Sequence, residues 1–155
     1  MISHLNKKNK PTIVDISSKK ITSRMAIAQG IVEFSKSTYK KIESLKTKKG
    51  EIKSIAIIAG ILGAKKTSDI IPLCHNIKIE NIDIDIKAIK KISSLKVTSF
   101  VKSRGKTGVE MEALNGVSIA CLTIYDMCKS IDKNIVIKDI RLVKKKGGKS
   151  DFSKS

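Results

Sequence analysis

The segment SIACLTIYDMCKS, Ser118 to Ser130, is an apolar run of the kind a buried helix needs, interrupted by Asp126 and Lys129. A carboxylate and an ammonium three residues apart meet across one helical turn, where each tunes the other's proton affinity. A partly desolvated pair of this kind can exchange protons with a substrate, whereas an exposed pair is an ordinary solvated edge. Periodicity alone leaves both readings open. On a helical wheel begun at Val109, at about 100° per residue, Val109, Ala113, Val117, Ala120, Cys121, Ile124, Met127, Cys128 and Ile131 fill one broad arc. The opposite arc holds Glu112, Asn115, Asp126 and Lys129. In projection Glu112 and Asp126 lie within about 40° of each other, though far apart along the axis. Met111, Ile119 and Leu122 share this polar arc. A helix that is apolar nearly all round is covered on both sides, and in a chain of this size a second subunit can supply the second cover.

Other residues with chemical potential cluster around the start of that helix. SRGKTG precedes it, so free backbone N–H groups and Lys106 could hold an anion there. Glu110 and Glu112 fall in the first turn, where they also complement the helix dipole. His4 and His75 are the only histidines, and Cys74, Cys121 and Cys128 form no Cys-x-x-Cys pair. No ligand spacing suits a zinc site, and three unpaired cysteines fit reduced cytosolic thiols.

The elements that must position these groups come from a chain of 155 residues, a length that suits one domain. Hydrophobic residues make up 41% but aromatics only 3%, so the core must be built from Ile, Leu, Val, Ala and Met. No apolar run approaches the ~20 residues that would span a bilayer, and the N-terminus lacks the apolar stretch of a secretory signal. A cytoplasmic location is expected. The net charge of +18 suits a polyanionic partner, whether nucleic acid, membrane surface or phosphorylated substrate. The cations are nearly all Lys, however, with Arg24, Arg104 and Arg141 the only arginines. Lys and Ile both have A- and T-rich codons, so genome composition offers a second account of the charge.

Along the chain, ITSRMAIAQGIVEFS reads as a strand and STYKKIESLK as a charged helix. KKGEIKSIAIIAGILGAKKT reads as a helix with Ile55, Ile58, Ala59 and Leu62 at buried spacing. IKIENIDIDIKAI alternates with one slip at Glu80–Asn81, as a bulged strand would, and LKVTSFVKS is its hairpin partner. The long helix VEMEALNGVSIACLTIYDMCKSI and the strand IVIKDIRLV follow. The order β-α-β-β-α-β is the ferredoxin-like pattern, an α+β fold with an antiparallel sheet and helices packed on one face. Residues 1–12 are expected as a flexible arm, 13–146 as the single domain and 147–155 as a polar tail. RNA-recognition modules share this topology but stack bases on strand aromatics, and only Phe100 stands near the needed place. Neither nucleic acid nor a membrane is expected as partner.

IPLCH, KTGVEMEAL, LTIYDMCK and KKGGKS, with IVDIS and KGEI…IAGILGAKKT in the same order, resemble the motifs of the MoaC family, the cyclic pyranopterin monophosphate synthases of molybdenum cofactor biosynthesis. The resemblance covers nearly the whole chain. It implies a lyase that converts 3′,8-cyclo-7,8-dihydroguanosine 5′-triphosphate to cyclic pyranopterin monophosphate and releases diphosphate. It also implies a homohexamer, a trimer of dimers, with the site at a subunit interface. No redox or organic cofactor is implied, though Mg2+ can accompany the phosphates. By position, Asp126, Lys129 and Lys49 match catalytic residues, with Lys48 beside Lys49 as the alternative register. Leu73, Cys74, His75, Met111 and Glu112 match substrate-binding stretches, and Glu110, Lys106 and Lys145 align with polar residues around the pocket. The chain departs from the family at Asn76 (commonly Pro), at Asn115–Gly116 (usually Thr-Ala), at Lys66 (commonly Arg) and in GGKSDF, which is one Gly short. Gly116 inside a helix costs about 1 kcal/mol relative to Ala.

Overall fold

Alternation decides how the sheet lies. In β1 (Thr22–Glu33), Arg24, Ala26, Ala28, Gly30 and Val32 are buried while the residues between them are half-covered. In β5 (Ser94–Gly105), Leu95, Val97, Ser99, Val101 and Ser103 turn the same way. The two strands pair antiparallel from Thr22–Gly105 to Glu33–Ser94, so both buried rows face one side. The computed structural model that reveals this describes residues 4–42, 46–47 and 50–154.

The remaining elements are α1 (Lys36–Lys41), β2 (Lys46–Thr47), β3 (Gly50–Glu51), α2 (Ile52–Lys65), α3 (Thr67–Ile70), β4 (Ile79–Ile89), α4 (Glu110–Cys128), β6 (Val136–Lys146) and β7 (Phe152–Ser153). The main sheet runs β4-β5-β1-β6-β7 with every pair antiparallel, and β2 and β3 form a separate two-stranded ribbon. The four long strands with α2 and α4 make the ferredoxin-like βαββαβ fold expected from the sequence. The expected slip is present as a register shift between Ile79 and Asn81 on β4.

Helix α4 lies on the buried rows. Val109, Ala113, Val117, Ala120, Cys121, Ile124, Met127 and Cys128 are all buried, as the wheel predicts, while Ile131 just past the helix is exposed. Full burial of a side chain such as Val117 or Ile124 contributes about 1.5–3 kcal/mol.

The expected face of α2 needs correction. Ile55, Ile58 and Leu62 point outward, Ile58 being 67% exposed, and Ile52, Ala56, Gly60, Gly63 and Ala64 are buried instead. The reason is the closeness of α2 to α4. A Cβ on Gly60 would stand 2.9 Å from the Gly116 carbonyl oxygen, and one on Gly63 would stand 2.6 Å from Ile119 Cγ1. Small residues permit this crossing, so they occupy the inner stripe and the branched ones are displaced outward. The departures at Asn115 and Gly116 fit the same contact. Gly116 sits at the crossing, and Asn115 Nδ2 donates to the Gly63 carbonyl at 2.7 Å and to Thr67 Oγ1 at 3.3 Å.

Both ends of the chain approach the sheet near the start of α4. His4 to Thr12, within the segment expected as an arm, form a small hairpin with a Leu5–Pro11 bridge. In the tail, Gly147 takes a left-handed φ of 87° where a Cβ would collide with the Ser23 carbonyl. That turn returns the chain as β7 alongside Lys144 and Lys145 of β6.

Candidate active site

The loop after β5 and the first turn of α4 form one wall of a cavity of about 250 Å³. Leu73, Cys74 and His75 form another, and Lys145 of β6 closes it beside Glu110. An adjoining cavity of about 210 Å³ is lined by Lys19, Arg24, Lys106, Lys145, Lys146 and Lys149. Thr107, Gly108, Glu110 and Lys145 belong to both, so the two spaces adjoin across a shared set of residues. All eight residues assigned above to substrate binding line one or the other: Leu73, Cys74, His75, Met111 and Glu112 the first, Lys106 the second, Glu110 and Lys145 both.

The two spaces differ in chemistry. In the first, Glu112 is only 3% exposed, and its Oε2 has no hydrogen-bond partner among the described residues. Burial pushes its carboxyl up to about 7, and the neighbouring Glu110 carboxylate acts in the same direction. A carboxyl poised there can give or take a proton near neutrality. Burial, and then the Glu112 carboxylate, hold the Cys74 thiol above its usual range, which suits packing rather than nucleophilic attack. His75 donates through Nε2 to the Val14 carbonyl at 2.7 Å, which leaves Nδ1 as its other polar atom.

The second space is cationic. Arg24 reaches the loop after β5, donating through Nε to the Gly105 carbonyl at 3.3 Å and through Nη2 to the Lys106 carbonyl at 3.4 Å. Lys106 Nζ donates to the Ser17 carbonyl at 2.6 Å. Lys145 Nζ lies 3.3 Å from Glu110 Oε1. The remaining lysines make the balance strongly positive, as a polyphosphate requires.

Asp126 and Lys129 do not join this group within one chain. They pair with each other at 2.7 Å near the far end of α4, and each side chain is 57% exposed. Fourteen residues separate Glu112 from Asp126, about 21 Å at 1.5 Å per residue. The wheel places the two on one arc, but the arc is covered differently along its length. Cys74 and the cavity walls bury Glu112, α2 half-covers Asn115, and Asp126 lies in the open. The Asp126 carboxylate holds the Lys129 ammonium above its usual range, so this pair is not desolvated in the single chain. Lys49, with the alternative Lys48, lies outside the described residues.

Lys19 and Arg24 have no place in the sequence-derived site, and His4 figures there only as one of two histidines. Arg24 carried a readable signal: it stands in phase with Ala26, Ala28 and Val32 on the buried row of β1. Lys19 carried none, because the chain has many lysines on irregular segments.

Comparison with known proteins bears on this arrangement. The MoaC family profile matches residues 13–148, which includes every wall of both spaces except His4 and Lys149. A protein of Helicobacter hepaticus named cyclic pyranopterin monophosphate synthase is 53% identical over 152 residues, 97% of this chain and 96% of its own. Proteins of the same name from Campylobacter jejuni subsp. doylei and Peptoclostridium acidaminophilum are 52% and 48% identical, each across 96% of this chain and at least 93% of their own. With the motifs, the ferredoxin-like fold and similarity over nearly the full length in agreement, the chain belongs to the MoaC family.

Proposed function

We propose that the protein is a cyclic pyranopterin monophosphate synthase that takes 3′,8-cyclo-7,8-dihydroguanosine 5′-triphosphate and releases diphosphate, a lyase reaction in molybdenum cofactor biosynthesis. The observation that carries this reading is a cationic space adjoining one that holds a buried carboxyl pushed up to about 7. A substrate with a triphosphate at one end and a rearranging heterocycle at the other needs both. Lys19, Arg24, Lys106 and Lys145 would hold the phosphates and stabilise charge building on the leaving diphosphate as the cyclic phosphate closes. The ring end would lie against Cys74, His75, Met111 and Glu112. Mg2+ can accompany the substrate's phosphates. No organic cofactor is invoked.

Asp126, Lys129 and Lys49 enter through a second copy. Gly63 of α2 meets Asn115 and Ile119, while Gly60 meets Gly116 and Ala120, so the two helices run in opposite senses. The start of α2, just after Lys49 in sequence, therefore points toward the Asp126–Lys129 end of α4. Exposed Ile58, Leu62, Met111 and Leu122 offer apolar surface for a neighbour. A homo-oligomer, a hexamer built as a trimer of dimers, would bring one copy's Asp126 and Lys129 against another's Glu112 and desolvate the pair for proton transfer during ring rearrangement. The expected location is cytoplasmic, and no helix among the described residues is long and apolar enough to cross a membrane.

The test supplies the cyclic dihydroguanosine triphosphate and measures diphosphate together with a product that oxidises to a fluorescent pterin. Both should appear in equal amounts. Folded protein that yields neither would overturn the reading.

A further inference from the structure

The N-terminal hairpin contributes a side chain to the carboxylate-bearing space. His4 lines that space with Cys74, His75 and Glu112, and its Nδ1 is buried without a hydrogen-bond partner among the described residues. A buried polar nitrogen left unpaired is costly, and native structures retain few of them unless a ligand or water satisfies the group.

The position of His4 is specified by the hairpin. Thr12 N donates to the His4 carbonyl at 3.0 Å, and the Asn6 side chain accepts from the Lys8 and Lys10 amides at 2.9 and 3.1 Å. Asn9 supplies the left-handed residue of the turn with φ of 56°. The segment that follows is fastened to the site at two points, Val14 to His75 and Ser17 to Lys106. Lys7, Lys8 and Lys10 are exposed on the outer side of the turn. The hairpin thus contributes one residue, His4, to the lining of the ring-binding space and none to that of the cationic one.

We propose that His4 is a ligand-binding residue whose Nδ1 accepts a hydrogen bond from an N–H on the edge of the substrate's heterocycle, with the hairpin settling over the ring when substrate is bound. This rests on the function proposed above and adds a contact that the motifs do not supply. A neutral hydrogen bond at a water-excluded edge is worth about tenfold in binding.

The experiment uses the full chain and the cyclic dihydroguanosine triphosphate, comparing wild type with His4→Phe, His4→Asn and the turn control Lys8→Ala. Phe keeps the ring shape without nitrogen, and Asn returns a polar atom near the place of Nδ1. His4→Phe should raise KM about tenfold, while His4→Asn and Lys8→Ala stay within about threefold of wild type. Saturating substrate should slow tryptic cutting at the hairpin lysines in wild type and His4→Asn, and fail to do so in His4→Phe. A KM for His4→Phe within about twofold of wild type would overturn the inference while leaving the function intact. So would substrate protection of the hairpin that is equal in all variants. Absence of turnover by wild type would remove both.

Discussion

The two ends of α4 carry similar residues in opposite states. At the N-terminal end Glu112 is buried beside Cys74, its Oε2 without a hydrogen-bond partner among the described residues and its carboxyl pushed up by burial to about 7. At the C-terminal end Asp126 and Lys129 stand in solvent, the carboxylate holding the ammonium above its usual range. Burial makes the difference. The first group is ready for proton exchange in the isolated chain, and the second becomes so only when something covers it. On the proposed function, one end of the helix carries a covered half of the site and the other an open half that a second copy would cover, with exposed Leu122 beside it.

The largest expected effect lies at the open end. Asp126→Asn and Lys129→Ala should each lower turnover at least about 10²-fold, the scale of losing a general acid or base. Both variants should remain folded and oligomeric, as read by circular dichroism and size-exclusion chromatography. Near-normal rates in either variant would remove the open end from the chemistry.

The buried end should respond in both rate and pH dependence. Between pH 4.5 and about 7 the folded Glu112 carboxyl keeps a proton that the unfolded chain has already released. Stability of the ligand-free fold is therefore undiminished by this site below pH 4.5 and falls as pH rises to about 7, by up to roughly 3 kcal/mol. Glu112→Gln should abolish that decline in denaturant titrations and sharply lower turnover, while wild-type kcat/KM should show an inflection near pH 7. An unchanged stability slope would mean that Glu112 is not desolvated as described.

A smaller effect, on stability first, is expected midway along α4. Gly60→Ala places a methyl group 2.9 Å from the Gly116 carbonyl oxygen and must push α2 away from the helix. A loss of about 1–3 kcal/mol is expected, read as a lower denaturation midpoint. A neutral result would show that the helices tolerate wider spacing.

Much of this architecture was legible in the residues. The core arc of α4 and the bulge near Asn81 followed from periodicity, since one face of each element is simply apolar. The stripe of α2 was misread because hydrophobicity ranks Ile above Gly, whereas a close helix crossing ranks by size. Glu112 and Asp126 shared an arc, and a wheel has no axial coordinate to show that the cover changes along it. The motifs named the site residues individually. Only the fold showed eight of them around two adjoining spaces, with Asp126 and Lys129 about 21 Å away.

The central claim is that a working site takes its two halves from different copies of the chain. Co-expression of Glu112→Gln with Lys129→Ala, each inactive alone, tests it directly. If the site is shared, mixed oligomers pair an intact Glu112 end with an intact Lys129 end, and activity returns to on the order of a quarter of wild type through random pairing. If mixed oligomers form and remain as inactive as either parent, both halves belong to one chain and the account is contradicted.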